Sequence, residues 1–233
     1  MDRILRAEPG WQDSVAVALR RSPRPIPVDQ RVMPRQVTVD EGRLGARRVP
    51  PGAAAGAAAG APRQAATLLL LYPGADGELY VPLTVRQPDL RAHAGEVSLP
   101  GGAVDPADES PRAAALREAW EEIGVAPESV HVQGTLDQVW IPVSNFQLRP
   151  FVGALDQRPE LVPHTPEVAS IVELPVRILL ADDAIADQLI EGPGWALRAG
   201  AYLHAEQVIW GATARTLAMF ASVLRRAFTS DEG

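Results

Sequence analysis

Between Ser110 and Gly124 the chain reads Ser-Pro-Arg-Ala-Ala-Ala-Leu-Arg-Glu-Ala-Trp-Glu-Glu-Ile-Gly, a helix with its own start and stop and two unlike sides. Ser110 is placed to cap the first turn, Pro111 suits the first helical position, and Gly124 supplies the left-handed residue at which helices commonly end. At 100° per residue, Glu118, Glu121 and Glu122 fall within an arc of roughly 100°. Ala113, Leu116, Trp120 and Ile123 lie opposite and are expected to pack. Like charges three and four residues apart repel, and a face kept only for solubility would interleave basic residues. A solvated acidic face is the ordinary meaning of a bare Glu-x-x-Glu-Glu. Here Gly101-Gly102 lies just upstream, and the combination points to hard oxygen ligands for Mg²⁺ or Mn²⁺ beside a glycine loop. The expectation requires that the three carboxylates be free to converge. Oxygens splayed apart, or held by arginines, count against it.

From Gly102 to Val125 this segment resembles the Nudix box: glycine, five residues, glutamate, seven residues, Arg-Glu, an aliphatic, any residue, Glu-Glu, any residue, glycine and an aliphatic. Counting back from Arg117 puts the first acid at Glu109, whereas counting forward from Gly102 puts it at Asp108. The resemblance therefore implies one extra residue between loop and helix, and leaves open which acid pairs with Arg117. It also implies the Gly101 carbonyl as a fourth metal ligand beside Glu118, Glu121 and Glu122.

Upstream, Leu83-Thr84-Val85-Arg86, Arg91, Gly95 and Leu99-Pro100-Gly101-Gly102 resemble the additional signature of coenzyme A pyrophosphatases within that superfamily. The departures are Pro82 for a leucine, Gln87 for a small residue and Leu99 for a phenylalanine. Downstream, Leu136-Asp137, Trp140-Ile141-Pro142, Pro166-Glu167-Val168-Ala169 and Trp210-Gly211-Ala212-Thr213-Ala214 are similar to the same subfamily. The likeness runs from about residue 66 to 228. It implies hydrolysis of coenzyme A to adenosine 3′,5′-bisphosphate and 4′-phosphopantetheine. The alternatives are another nucleoside-diphosphate compound, such as ADP-ribose or a dinucleoside polyphosphate, and a ligand-binding module of the same fold without catalysis.

A chain of 233 residues can bury one sizeable core. Its formal net charge of −7 argues against general nucleic-acid affinity, which needs a basic surface to release counterions. The absence of cysteine excludes disulfides, thiolate nucleophiles and zinc–thiolate sites, and fits a cytoplasmic location. All 22 basic residues are arginine, so Schiff-base chemistry is excluded too, although biased codon usage accounts for the bias. Met1 to Trp11 has no apolar stretch of the kind a signal peptide needs. The longest apolar run, Ala65 to Tyr72, is too short for a bilayer and reads as a buried strand.

Residues 1–64 are expected to form an N-terminal arm, with a short helix over Asp13 to Arg21 and an alanine- and glycine-rich linker over Pro50 to Pro62. Residues 65–233 form the hydrolase domain. There, Ala65 to Tyr72 and Leu79 to Val85 read as a hairpin ending at Arg86, and Val130 to Val139, Gln147 to Ala154 and Ala169 to Leu174 read as strands. Val176 to Ala181 and Ala184 to Ile190 read as helical turns, and Ala212 to Phe228 as a closing helix that either lines a homodimer interface or caps the core. Strands on both sides of a central helix imply an α/β/α sandwich around a mixed sheet.

Glu118 and Glu167 are the candidate bases, and the choice between them is open because either role needs only a carboxylate within reach of water. Glu121 joins them in the catalytic set. Arg86 and Arg91 have planar forks suited to phosphate oxygens, against the alternative of a structural ion pair for Arg86. His93 is read as a polar loop residue. Trp140 and Trp210 are large enough to stack a base but are read as structural.

Overall fold

The computed structural model describes residues 2–36, 60–88, 95–192 and 195–229. Most of the alanine- and glycine-rich linker, together with Arg91 and His93, lies outside the described residues. Strand β1 spans Arg35–Gln36. Strands β2 (Arg63–Pro73) and β3 (Leu79–Arg86) form the expected hairpin, closed at Tyr72 and Tyr80. They are followed by β4 (Val97–Ser98), β5 (Gly101–Ala103), β6 (His131–Thr135), β7 (Val139–Ile141), β8 (Phe146–Ala154) and β9 (Val168–Pro175). One mixed sheet joins them in the order β4-β3-β2-β8-β6, with β5 on β2, β7 on β8 and β9 on β3. The one parallel pairing among the described residues, β2 with β8, runs from Arg63 and Phe146 to Leu71 and Ala154.

That pairing explains the unbroken apolar run. Leu68, Leu70 and Tyr72 face one side of β2 and Leu69 and Leu71 the other, and both sides are buried. Helix α3 (Pro111–Ile123) covers the first side, with Ala114, Ala115, Ala119 and Ile123 against Ala66, Leu68 and Phe151. After a first turn, α1 (Asp2–Leu5), helix α2 (Trp11–Arg21) covers the second side. The short α4 (Val176–Leu180) and the long α5 (Gly211–Thr229) complete that layer. Leu217, Phe220 and Leu224 of α5 are fully buried among these residues, so the closing helix caps the core. Trp11, Val15 and Leu19 of α2 lie in the same cluster. Among the described residues no helix is long and apolar enough to cross a membrane.

Three expectations are corrected. Ala184 to Ile190 is mostly strand, because β10 (Ala186–Gly192) pairs antiparallel with β11 (Trp195–His204). Asp187, Leu189 and Glu191 project outward at every second position, and this period of two outweighs the alanines. With β1 and β12 (Gln207–Ile209) these strands form a second, four-stranded sheet. Val130 to Val139 is two strands rather than one, interrupted at Leu136-Asp137-Gln138 where Asp137 accepts from the Ile26 backbone and from Arg24. The packing side of α3 is also rotated from the one expected. Trp120 is 46% exposed, set edge-on to His164, whereas Ala115 and Ala119 meet the sheet. Small side chains let the helix lie close to β2, and that rotation turns Glu122 inward.

Candidate active site

The punctuation of α3 holds at both ends. Ser110 Oγ accepts from the Ala113 N–H at 3.2 Å, and Gly124 stops the helix at φ 76°. Pro100 ties the preceding loop to the sheet, its carbonyl accepting from both the Leu68 N–H (2.9 Å) and the Thr67 hydroxyl (2.7 Å). The glycine loop is thereby delivered to the last two turns of α3.

Two carboxylates meet that loop closely. Glu118 packs on the Cα of Gly102, where an added Cβ would stand 2.6 Å from its Cδ and 2.8 Å from Oε2. A methyl group here would displace the carboxylate, which occupies the side chain's place. The Glu122 carboxylate, 7% exposed, accepts from the Gly101 N–H at 3.1 Å. Burial raises its pKa to about 7, against the pull of that N–H, and the neighbouring Glu118 pushes in the same direction as burial. Burial also raises Glu118, partly offset by Arg117.

Arg117 is the hub on the loop side. Its Nε and Nη2 donate to Asp108 at 3.0 and 3.1 Å, its Nη2 also reaches the Ala103 carbonyl at 3.3 Å, and its Nη1 reaches Glu118 Oε1 at 2.9 Å and Glu121 Oε2 at 3.1 Å. The open question of the first acid is answered: Asp108 pairs with Arg117, so the extra residue falls between those two. The fork holds the Asp108 carboxyl below its ordinary range.

Arg86, at the end of β3, donates to Glu167 Oε2 at 3.1 Å, while the Gln87 N–H is bound by the Glu167 carbonyl at 2.9 Å. The pair therefore joins β3 to the start of β9, and both charges act on Glu122. Arg86 Nε is buried and has no hydrogen-bond partner among the described residues. Trp140, expected in the core, is 40% exposed, and Trp210 is half-buried beside Trp195 at 6.3 Å.

A divalent cation can be tested against this donor set. The oxygens of Glu118 and Glu122 and the Gly101 carbonyl are hard ligands of the right chemistry, with Glu122 buried and Glu118 partly so. Among the described residues no three acidic or histidine side chains already converge on one point. Glu121 is turned to Arg117, but its side chain is 50% exposed and an exposed i,i+4 pair is worth only about 0.3–0.5 kcal/mol. Arg117 also holds Glu118 Oε1 at 2.9 Å, so two of the three glutamates are bound to an arginine, which counts against a ready-made site; the donor chemistry suits Mg²⁺ or Mn²⁺ only where both contacts give way.

The Asp108–Arg117 brace, the bare loop and the value of Gly102 required three-dimensional contacts to read. Their sequence signal was the spacing between Gly102 and Arg117.

Related proteins match part of this chain. The chain is 39% identical over 132 residues to the uncharacterized Nudix hydrolase NudL of Pectobacterium atrosepticum, covering 57% of this chain and 68% of that one. It is 36% identical over 174 residues to Nudix hydrolase 22, chloroplastic, of Arabidopsis thaliana, covering 70% of this chain but only 56% of the plant protein. Among solved structures, the Nudix hydrolase RenU of M. smegmatis aligns with a TM-score of 0.47 at 18% identity, over 75% of this chain and 90% of RenU. A NUDIX domain matches residues 62–213, more than half of the 233, and on that match the chain belongs to the Nudix hydrolase family.

Proposed function

We propose that this protein hydrolyses the pyrophosphate bond of coenzyme A or its derivatives, with Mg²⁺ or Mn²⁺, to adenosine 3′,5′-bisphosphate and 4′-phosphopantetheine. The observation that carries the hydrolytic part is the packing of Glu118 and Glu122 against the Gly101-Gly102 loop, two poorly solvated carboxylates facing bare backbone. The narrower substrate rests on the likeness of Leu83 to Gly102 to the coenzyme A signature, a segment that leads from β3 into that loop.

Glu118, Glu121 and Glu122, with the Gly101 carbonyl, are the residues that would hold the cation. When bound, it would screen the diphosphate charge and make water a better nucleophile. Arg86, whose Nε has no partner among the described residues, supplies donors to phosphate oxygens, with Arg91 proposed for the same task. Water attacks one phosphorus, the bridging oxygen leaves with the other phosphoryl group, and the water proton passes to a carboxylate. Glu118 and Glu167 are the candidates for that proton, Glu118 because burial raises its affinity for one and Glu167 because it is half exposed beside Arg86.

Liquid chromatography of coenzyme A incubated with enzyme and Mg²⁺, and with chelator in place of metal, tests this. Both products are expected with metal and neither with chelator. Intact coenzyme A alongside cleaved ADP-ribose or dinucleoside polyphosphate would overturn the substrate and keep the chemistry; no cleavage of any of them would leave a ligand-binding module.

A further inference from the structure

The sheet face that carries the carboxylates continues beyond them onto strands the proposed chemistry leaves unused. Gly102 of β5 pairs with Ala66 of β2, and Ala66 pairs with Arg149 of β8. Paired residues point to the same side, so the three form one row on one face. It is the α3 face, since a Cβ on Gly102 would meet Glu118 and since Phe151, two residues past Arg149, packs in the α3-side core. Two strand spacings put the Arg149 backbone roughly 10 Å from that of Gly102.

Arg149 forms no ion pair with a carboxylate among the described residues, in a chain whose acids outnumber its bases by 29 to 22. Its partner is neutral. With the Gln138 amide oriented so that its oxygen faces the guanidinium, Gln138 accepts from Nη2 at 2.6 Å and from Nε at 3.0 Å. Two donors of the fork are thus held on a neutral partner, and Nη1 makes no hydrogen bond or ion pair among the described residues. Next to it, Trp140 is the cross-strand partner of Gln147, two residues before Arg149 and on the same face. The indole is 40% exposed, and its Nε1–H donates to Asn145 Oδ1 at 3.3 Å, which fixes the ring from its edge. A fixed, open indole beside a fixed, unpaired guanidinium recognises an aromatic ring carrying an anionic group.

We propose that Arg149, clamped by Gln138, and Trp140 form a second recognition site on the carboxylate face, binding the base and the phosphate monoester of a phosphorylated nucleoside. This rests on the pyrophosphatase reading, in which the scissile diphosphate lies at Glu118. A monoester one sugar away from that diphosphate falls within the span between Gly102 and the tip of Arg149. Arg149 then discriminates substrates that carry the extra phosphate from those that lack it.

Calorimetric titration of the full chain with adenosine 3′,5′-bisphosphate and with adenosine 5′-monophosphate tests the site without turnover. The wild type should prefer the bisphosphate by about tenfold, the value of one charge-assisted contact. Arg149→Gln should bring the two affinities together, Gln138→Leu should narrow the gap while leaving the arginine in place, and Trp140→Ala should weaken both nucleotides alike. In turnover, the ratio of kcat/KM for coenzyme A to that for 3′-dephospho-coenzyme A should fall by about tenfold in Arg149→Gln, carried by KM. Equal affinities in the wild type, or an unchanged preference in Arg149→Gln and Gln138→Leu, would overturn the site. Failure to cleave coenzyme A would strike the coenzyme A reading instead, because the nucleotide preference is measured independently of cleavage.

Discussion

Arg117 grips Asp108 with two hydrogen bonds, Nε to Oδ1 at 3.0 Å and Nη2 to Oδ2 at 3.1 Å, while Glu109 next to it takes no part. Asp108 also accepts from the Asp105 N–H at 2.8 Å, so one carboxylate fixes both the loop's turn and the arginine. Asp108→Ala should therefore lower stability by about 1–3 kcal/mol, leaving a charged fork with a lost partner, and should reduce kcat by displacing Glu118 through Arg117. Glu109→Ala should do neither. Thermal melts and kcat for the two variants side by side check the assignment.

How far the chain could be read without its fold follows from which signals were local. Ser110, Pro111 and Gly124 fixed α3 because capping is decided within one turn, and the run Ala65 to Tyr72 fixed β2 because a strand buried on both faces has no polar positions. The rotation of α3 was not legible. It depends on Ala115 and Ala119 packing in one core with Ala66, far away in sequence, whereas helical spacing alone sets Trp120 opposite the glutamates. At the site, Glu118, Glu121 and Glu122 were visible from spacing, but their unequal environments were not. Burial of Glu122 comes from the loop, and the tie of Glu121 to Arg117 comes from side-chain reach.

Gly102→Ala places a methyl group against the Glu118 carboxylate. The far end of a glutamate can swing away, so the protein should fold with a modest loss in melting temperature. The carboxylate should leave the loop, and kcat should fall by roughly tenfold or more, equivalent to at least about 1.4 kcal/mol. A variant as active as the wild type would show that contact to be incidental.

The raised pKa of Glu122 makes a prediction about the metal-free protein. A group whose folded pKa exceeds its unfolded value contributes stability that is complete below the unfolded value of about 4.5 and lost as pH rises through about 7. In chelator, the wild type should lose on the order of 3 kcal/mol between pH 4.5 and pH 8 from this one group. Glu122→Gln, which keeps an acceptor for the Gly101 N–H, should lack that loss and melt higher than the wild type at pH 8. Added Mg²⁺ should raise the wild-type melting temperature and leave Glu122→Gln nearly unmoved. Denaturant titrations across pH, with chelator and with Mg²⁺, measure both effects.

Glu121 is the most exposed of the three acids, so its replacement separates chemistry from folding. Glu121→Gln should cost less than about 0.5 kcal/mol of stability, the ordinary range for a surface i,i+4 pair. Its kcat should drop by roughly 100-fold or more, about 3 kcal/mol of transition-state stabilisation. Wild-type turnover in this variant would remove Glu121 from the site.

Arg86 and Glu167 are joined at 3.1 Å, and a double-mutant cycle distinguishes a strut from working parts. Were the pair only a brace between β3 and β9, Arg86→Ala, Glu167→Gln and the double variant would lose similar activity, since each removes the same contact. With Arg86 serving substrate phosphates and Glu167 a proton, the effects should diverge. Arg86→Ala should act mainly on KM, Glu167→Gln mainly on kcat, and the double variant should approach the sum of both. Because Glu167 is more than half exposed, the stability loss should stay within about 1 kcal/mol for every member of the cycle, leaving the kinetic split readable.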